Sequence, residues 1–270
     1  AGLVCGLAHN GLPEAAASEQ EDVKTKSRNP ASQPNSLETY PGPVGVAPSD
    51  QYAVQVEQGG TQYDSFVYLC NAQQSTNRSK TTSWTNFSFS GPVTVVVTKL
   101  KAETVKTCKI LPSSYGIEPR IEGNSVKFQL DRPRKISVEF DDDITHPMLV
   151  FANCLETDIP NADDPSVVYF GPGLHEIGDK VIESGQTVYL SGGAYVKGRF
   201  RANNVQDVKI RGRGVLSGED YPHGKTYDDN LIYIQGQRTT RVLIEGITLV
   251  NSPLYNILIY GPHNTVRNVK

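Results

Sequence analysis

The chain has 270 residues, 37% of them hydrophobic, with 24 Gly, 17 Pro, one Met and one Trp. Its 26 basic and 29 acidic residues leave a net charge of −3 spread along the sequence, which gives no electrostatic footprint for nucleic acid or an anionic membrane. No apolar run approaches the roughly 18 residues of a spanning helix, and the Gly- and Pro-punctuated texture favours many short strands over a helical core.

Residues 1–44 read as an extended N-terminal arm or linker. The opening AGLVCGLAHNGLPEAAASEQ lacks the basic flank and long apolar core of a signal peptide and reads as the mature end left after export. The rest of the segment is rich in Ser, Pro and Glu, with little periodicity.

From 45 to 150 the texture becomes short alternating runs: YAVQV, DSFVYLC, WTNFSFS, PVTVVVTKL, KTCKIL, SVKFQL and KISVEF. Runs of this length at this spacing predict a β-sandwich. IEGNSVKFQLD predicts a hairpin that turns at Gly123 and Asn124. The domain ends on SVEFDDD, the densest acidic run in the chain. Adjacent residues on a strand point to opposite faces, so Asp141, Asp142 and Asp143 cannot converge on one substrate. They are expected to be a structural junction.

From 151 to 270 glycines mark the corners between strand triplets. VKIRGRGV (208–215) and VLIEGITL (242–249) share a V-x-I-x-G-x-x-[VL] pattern 34 residues apart, and NTVRNV opens a further copy 24 residues on. Such spacing predicts a parallel β-helix whose stacked coils bury Val, Ile and Leu ladders. The last residues fall within a coil. This predicts further coils, or a second chain or neighbouring copy, over that edge.

The loop YPHGKTYDDN carries the candidate substrate-binding residues Tyr221, His223, Tyr227, Asp228 and Asp229, which combine aromatic faces with hydroxyl-binding groups. A solvent-exposed turn is the bland alternative. The four cysteines are not at metal-ligand or CxxC spacing, so no metal or cofactor is expected. Their even number favours two disulfides, with Cys70–Cys108 and Cys5–Cys154 preferred over other pairings or buried thiols. Asn77 and Asn86 begin N-x-S sequons and are candidate glycan acceptors in a secreted chain. Asn251, Asn256, Asn264 and Asn268 suit polar ladders that satisfy turn backbone, and Trp84 suits the sandwich core.

DSFVYL, SVEFDDD, VVYFGPGLHEIG, VYLSGGAYVKG and GRGVLSGEDY, in that order, resemble the dextranase–isopullulanase family of glycoside hydrolases. LVNSPLYN is similar to a stretch of the polygalacturonases, distant β-helix relatives. The resemblance implies an all-β protein, an N-terminal β-sandwich followed by a right-handed parallel β-helix. It also implies hydrolysis of an α-glucan polysaccharide with inversion, by a secreted, extracellular enzyme. Inversion needs two carboxyl groups roughly 6.5–9.5 Å apart, and stacked coils hold side chains in a fixed register about 4.8 Å apart. In the family these aspartates follow the segment matching LVNSPLYN. They are therefore expected beyond Lys270, and the chain alone is expected to be inactive. A different class of reading is a non-catalytic extracellular structural or carbohydrate-binding protein that assembles through the open coil edge. A pectin-type hydrolase is a third.

Overall fold

A computed structural model describes residues 36–71, 81–224 and 226–270, all within one compact unit. Cys5 and Asn77 lie outside the described residues, and Tyr227 is described by its backbone alone.

The first part consists of β1 (Ser36–Thr39), β2 (Tyr52–Gln58), β3 (Thr61–Ser65), β4 (Val67–Asn71), β5 (Thr81–Ser90), β6 (Val93–Lys99), β7 (Cys108–Leu111), β8 (Arg120–Glu122), β9 (Ser125–Leu130), β10 (Arg134–Phe140) and β11 (Met148–Cys154). One sheet runs β1-β5-β11-β10-β7, with β4 also on β5, and the other runs β3-β2-β6-β9-β8. The predicted hairpin is β8–β9, with Glu122 opposite Ser125 and Gly123 at φ 64°. Strand alternation supplies the core, as in β6, where Val93, Val95 and Val97 all point inward. Ser36–Thr39, placed above in an arm, pairs antiparallel with β5.

The second part consists of β12 (Val167–Phe170), β13 (Gly173–Val181), β14 (Thr187–Leu190), β15 (Ala194–Asn203), β16 (Lys209–Gly212), β17 (Val215–Ser217), β18 (Ile232–Gln235), β19 (Leu243–Glu245), β20 (Thr248–Val250), β21 (Ile257–Ile259) and β22 (Thr265–Arg267). All pairings here are parallel, in a sheet β12-β14-β16-β19-β22 and a bent sheet β20-β17-β15-β18-β21 with β13 also on β15. This is the expected parallel β-helix. Val188, Ile210 and Ile244 form one buried ladder and Val196, Leu216 and Leu249 another. Ile210 stacks on Ile244, which matches the 34-residue repeat. The following copy is two residues closer than predicted, because Ile244 pairs with Val266, 22 residues on. The short turn before Asn264 sets that phase. The Asn264 carboxamide accepts from Val242 N–H and donates to the Tyr260 and Gly261 carbonyls.

The motif glycine has a steric cause. Gly212 sits at φ 131°, and a Cβ there would lie 1.9 Å from the Leu190 carbonyl oxygen of the previous coil. Gly212→Ala is expected to cost about 3 kcal/mol. In thermal denaturation this reads as a Tm lower by roughly 6–12 °C for a domain of this size. Gly192, in SGGAYVKG, makes room for Tyr40, whose ring a Cβ would overlap at 2.1 Å.

The sandwich sheet that contains β5 is buried on both faces. Phe87, Phe89, Val150 and Ala152 point into the sandwich core. From the opposite face Trp84, Leu149 and Phe151 pack with Tyr68 on Tyr195, Val215 and Val250 of the β-helix.

Two expectations change. Cys70 and Cys108 are free thiols. They lie on β4 and β7, four strand spacings apart across β5, β11 and β10. That is about 19 Å, far beyond the roughly 7 Å a disulfide tolerates between Cα atoms. Cys154 has no disulfide partner among the described residues, and its expected partner Cys5 lies outside them. Asn86 is 4% exposed and its Nδ2 donates to the Arg213 carbonyl at 2.8 Å. A glycan cannot be carried there in this fold.

The acidic run is structural, but it does not mark the domain boundary expected above. It forms the turn between β10 and β11, which pair antiparallel within one sandwich sheet, so the sandwich runs on to Cys154. Asp141 and Asp142 adopt left-handed backbone at φ 55° and 57°. The Asp141 carboxylate accepts from the Lys106 and Thr107 amides, and Asp142 pairs with Lys109. Asp143 accepts from Thr145 N–H and Oγ1 and contacts His146 Nδ1 at 2.9 Å. Burial raises the Asp143 pKa, but these hydrogen bonds outweigh it and bring it down from 3.8 to about 2. A lowered carboxyl pKa contributes stability that is present above the unfolded value and lost as the pH falls toward the folded one. Asp143→Asn should therefore be less stable than the wild type at pH 6. The difference should shrink between pH 4 and pH 2 in urea melts.

Candidate functional site

Strand β15 bends at Gly198 and carries VKGRFRAN across the bend. Val196, Phe200 and Ala202 face the coil interior, so Lys197, Arg199 and Arg201 alternate outward. Around this basic row the structure gathers Asp179 from β13, Ser217 at the end of β17, and the loop 218–231.

Arg199 holds the Asp179 carboxylate through two bonds, Nε to Oδ1 at 2.7 Å and Nη2 to Oδ2 at 2.8 Å. Arg201 Nε lies 3.7 Å from the same carboxylate. One face of the Tyr221 ring covers the Arg199 guanidinium at 4.0 Å, and its hydroxyl donates to Asp179 at 3.4 Å. Arg201 reaches under the loop and donates to the Asn230 and Asp228 carbonyls, both at 2.8 Å.

One coil away Glu219 accepts from Lys197 at 2.6 Å, Tyr195 OH at 2.6 Å and Ser217 Oγ at 2.9 Å. Asn251 of the next coil donates to Ser217 at 3.4 Å. Burial raises the Asp179 and Glu219 pKa values, but the cations and hydroxyls around them win, and both are lowered. Neither is suited to hold a proton for a leaving group, which needs a raised pKa.

The predicted site residues separate into two groups. Tyr221 belongs to the charged corner, and His223 is exposed beside it. Asp229 is used locally. Its carboxylate accepts from Thr226 N–H at 2.9 Å and Thr226 Oγ1 at 3.1 Å as a capping box for the turn Tyr227–Asp229. It also stands 3.9 Å from Arg199. Asp228 contributes its carbonyl to the two arginines, while its side chain is exposed. The residues that sequence reasoning missed are Asp179, Lys197, Arg199, Arg201 and Glu219. The signal was there, in the alternation K-x-R-x-R across a strand whose other face is apolar.

Among the described residues no group of three or more His, Cys, Asp or Glu side chains is placed to hold a metal ion. No helix among them is long and apolar enough to cross a membrane.

Residues 36–153 match the family model described as the glycosyl hydrolase family 49 N-terminal Ig-like domain. The chain is 29% identical to an isopullulanase from Aspergillus niger over 65% of its own length and 40% of the relative. It is 23% identical to a dextranase from Arthrobacter globiformis over 80% of its length and 49% of the relative. The chain belongs to the dextranase–isopullulanase family of glycoside hydrolases. It thus spans about half or less of the length of the curated family members it matches. The solved structure of Dex49A from Penicillium minioluteum superposes with a TM-score of 0.64 at 18% identity. That match covers 86% of this chain and 59% of the other, and supports the sandwich and β-helix architecture.

Proposed function

We propose that this chain forms the β-sandwich and first coils of a secreted polysaccharide hydrolase that cleaves an α-glucan with inversion. The catalytic aspartates would lie on coils beyond Lys270. The observation that carries this reading is the electrostatics of the acidic groups. Among the described residues, every carboxyl group whose pKa departs from its ordinary value is held below it. An inverting hydrolase needs one carboxyl group kept protonated near neutral pH and a second as base, and the corner around Arg199 offers no group for the first role.

What that corner supplies is position. Charge-locked side chains hold Tyr221 at the rim of stacked coils, with the exposed His223 two residues on, and an aromatic ring and an imidazole there can contact sugar faces and hydroxyls. The relatives named isopullulanase and dextranase support a neutral α-glucan over a pectin. A polymer of that size does not cross a membrane, which supports action outside the cell.

The test is hydrolysis of dextran, pullulan and polygalacturonate by the longest polypeptide encoded around this sequence, with the product anomer followed by NMR. An α-glucan should be cut with inversion, and the 270-residue chain alone should release no reducing ends. Cleavage by the short chain would overturn the placement of the carboxylates. Failure of the longer polypeptide on both glucans would overturn the function.

A further inference from the structure

On the outer flank of the β-helix, beyond the bend of β15, lies a niche of about 330 Å³ lined by Tyr233, Gln235, Gly236, Gln237, Tyr260 and Gly261. It is separate from the Arg199 corner and uses the opposite end of β18. We infer that this niche is an accessory binding site for a single neutral pyranose ring of a glucan chain.

Three observations support it. First, no lining residue is charged, although 20% of the chain is. An ionic ligand would find no countercharge in the niche, while the loss of one hydration shell costs a neutral sugar far less. Second, Tyr233 and Tyr260 stand with centroids 6.4 Å apart and planes at 62°, so they form two walls of a corner. Third, Gln235 and Gln237 bring two carboxamides whose side chains engage no other described residue. Each offers a donor pair and an acceptor, the set that adjacent equatorial hydroxyls require.

Two of the lining residues are glycines that close packing against neighbouring chain requires. Gly236 and Gly261 have φ of 100° and 90°. A Cβ on Gly261 would meet the Thr239 carbonyl at 1.9 Å, and one on Gly236 would meet Asn203 and Asn204 at 2.5 Å. At these two positions the niche is lined by main chain without a side chain, which a ligand can approach closely.

The identity of the glucan rests on the function proposed above, but the neutral-sugar chemistry does not. Affinity electrophoresis of the 270-residue chain in gels containing dextran, pullulan or polygalacturonate tests both. Dextran or pullulan should retard the chain, and polygalacturonate should not. Tyr260→Ala should weaken the retardation about tenfold, the loss of one aromatic stacking contact, with Tm unchanged. Tyr260→Phe should stay within about twofold of the wild type, since the ring is kept. The inference fails if neither glucan retards the wild-type chain, if Tyr260→Ala matches the wild type, or if polygalacturonate binds equally well. Retardation that depends on Tyr260, in a protein whose longer form cuts no glucan, would leave this site standing and the hydrolase reading overturned.

Discussion

Replacing Arg213 with methionine should lower stability by about 3–5 kcal/mol, the usual cost of stranding a buried charge. Arg213 lies where the sandwich meets the coils, its side chain only 7% exposed. Its guanidinium donates to the Cys154 carbonyl at 3.0 Å and stands 3.9 Å from Glu156, whose side chain is 9% exposed. Glu156 has one further partner here, Tyr189 OH at 2.8 Å. Without the arginine, a carboxylate is left in a site that water scarcely reaches. Arg213→Met with Glu156→Leu should recover most of the loss, because an apolar pair of similar volume removes the stranded charge. Urea melts of both single variants and the double variant would measure this. A cost below about 1 kcal/mol for Arg213→Met would show that the pair carries little of the junction.

Trp84→Ala should cost about 3–5 kcal/mol, as for other large aromatics removed from a packed interior. Trp84 stacks on Tyr68 at 4.1 Å and 10°, and Tyr68 stacks in turn on Tyr195 of the β-helix at 6.1 Å and 16°. Its indole N–H is buried without a hydrogen-bond partner among the described residues. The ring earns its place by area, so Trp84→Phe should cost less than half as much as alanine. It removes an unsatisfied donor together with some contact surface. As the one tryptophan in the chain, Trp84 makes fluorescence a direct reporter of this seam. Its unfolding curve should coincide with that from circular dichroism if sandwich and coils melt together.

Much of the architecture was legible because alternation and repeat period are short-range properties. The V-x-I-x-G motif marked both the buried ladder and the glycine that must fit under Leu190. What stayed hidden depends on what covers a surface. In β5, Asn86 and Ser88 look like the solvent side of an amphipathic strand, yet both are buried, Asn86 against Arg213 of the coils and Ser88 against Tyr40. That is why a sequon there misled. The Cys70–Cys108 expectation failed for a related reason, since strand order inside a sheet is not written in chain order. At the site, two adjacent aspartates drew attention that belonged to a basic row. Asp229 caps a turn, while Arg199 and Arg201 hold the loop in place, a distinction that requires coordinates.

The sheet buried on both sides has a practical outcome for anyone dissecting this protein. The sandwich cannot be treated as an appendage tied on by a tether, because Tyr195, Val215 and Val250 rely on it for cover. A fragment beginning after Cys154 would bare that greasy flank and should precipitate on expression. Tyr195, which hands its hydroxyl to Glu219, would lose its backing in the same cut, and with it the alignment of the charged corner.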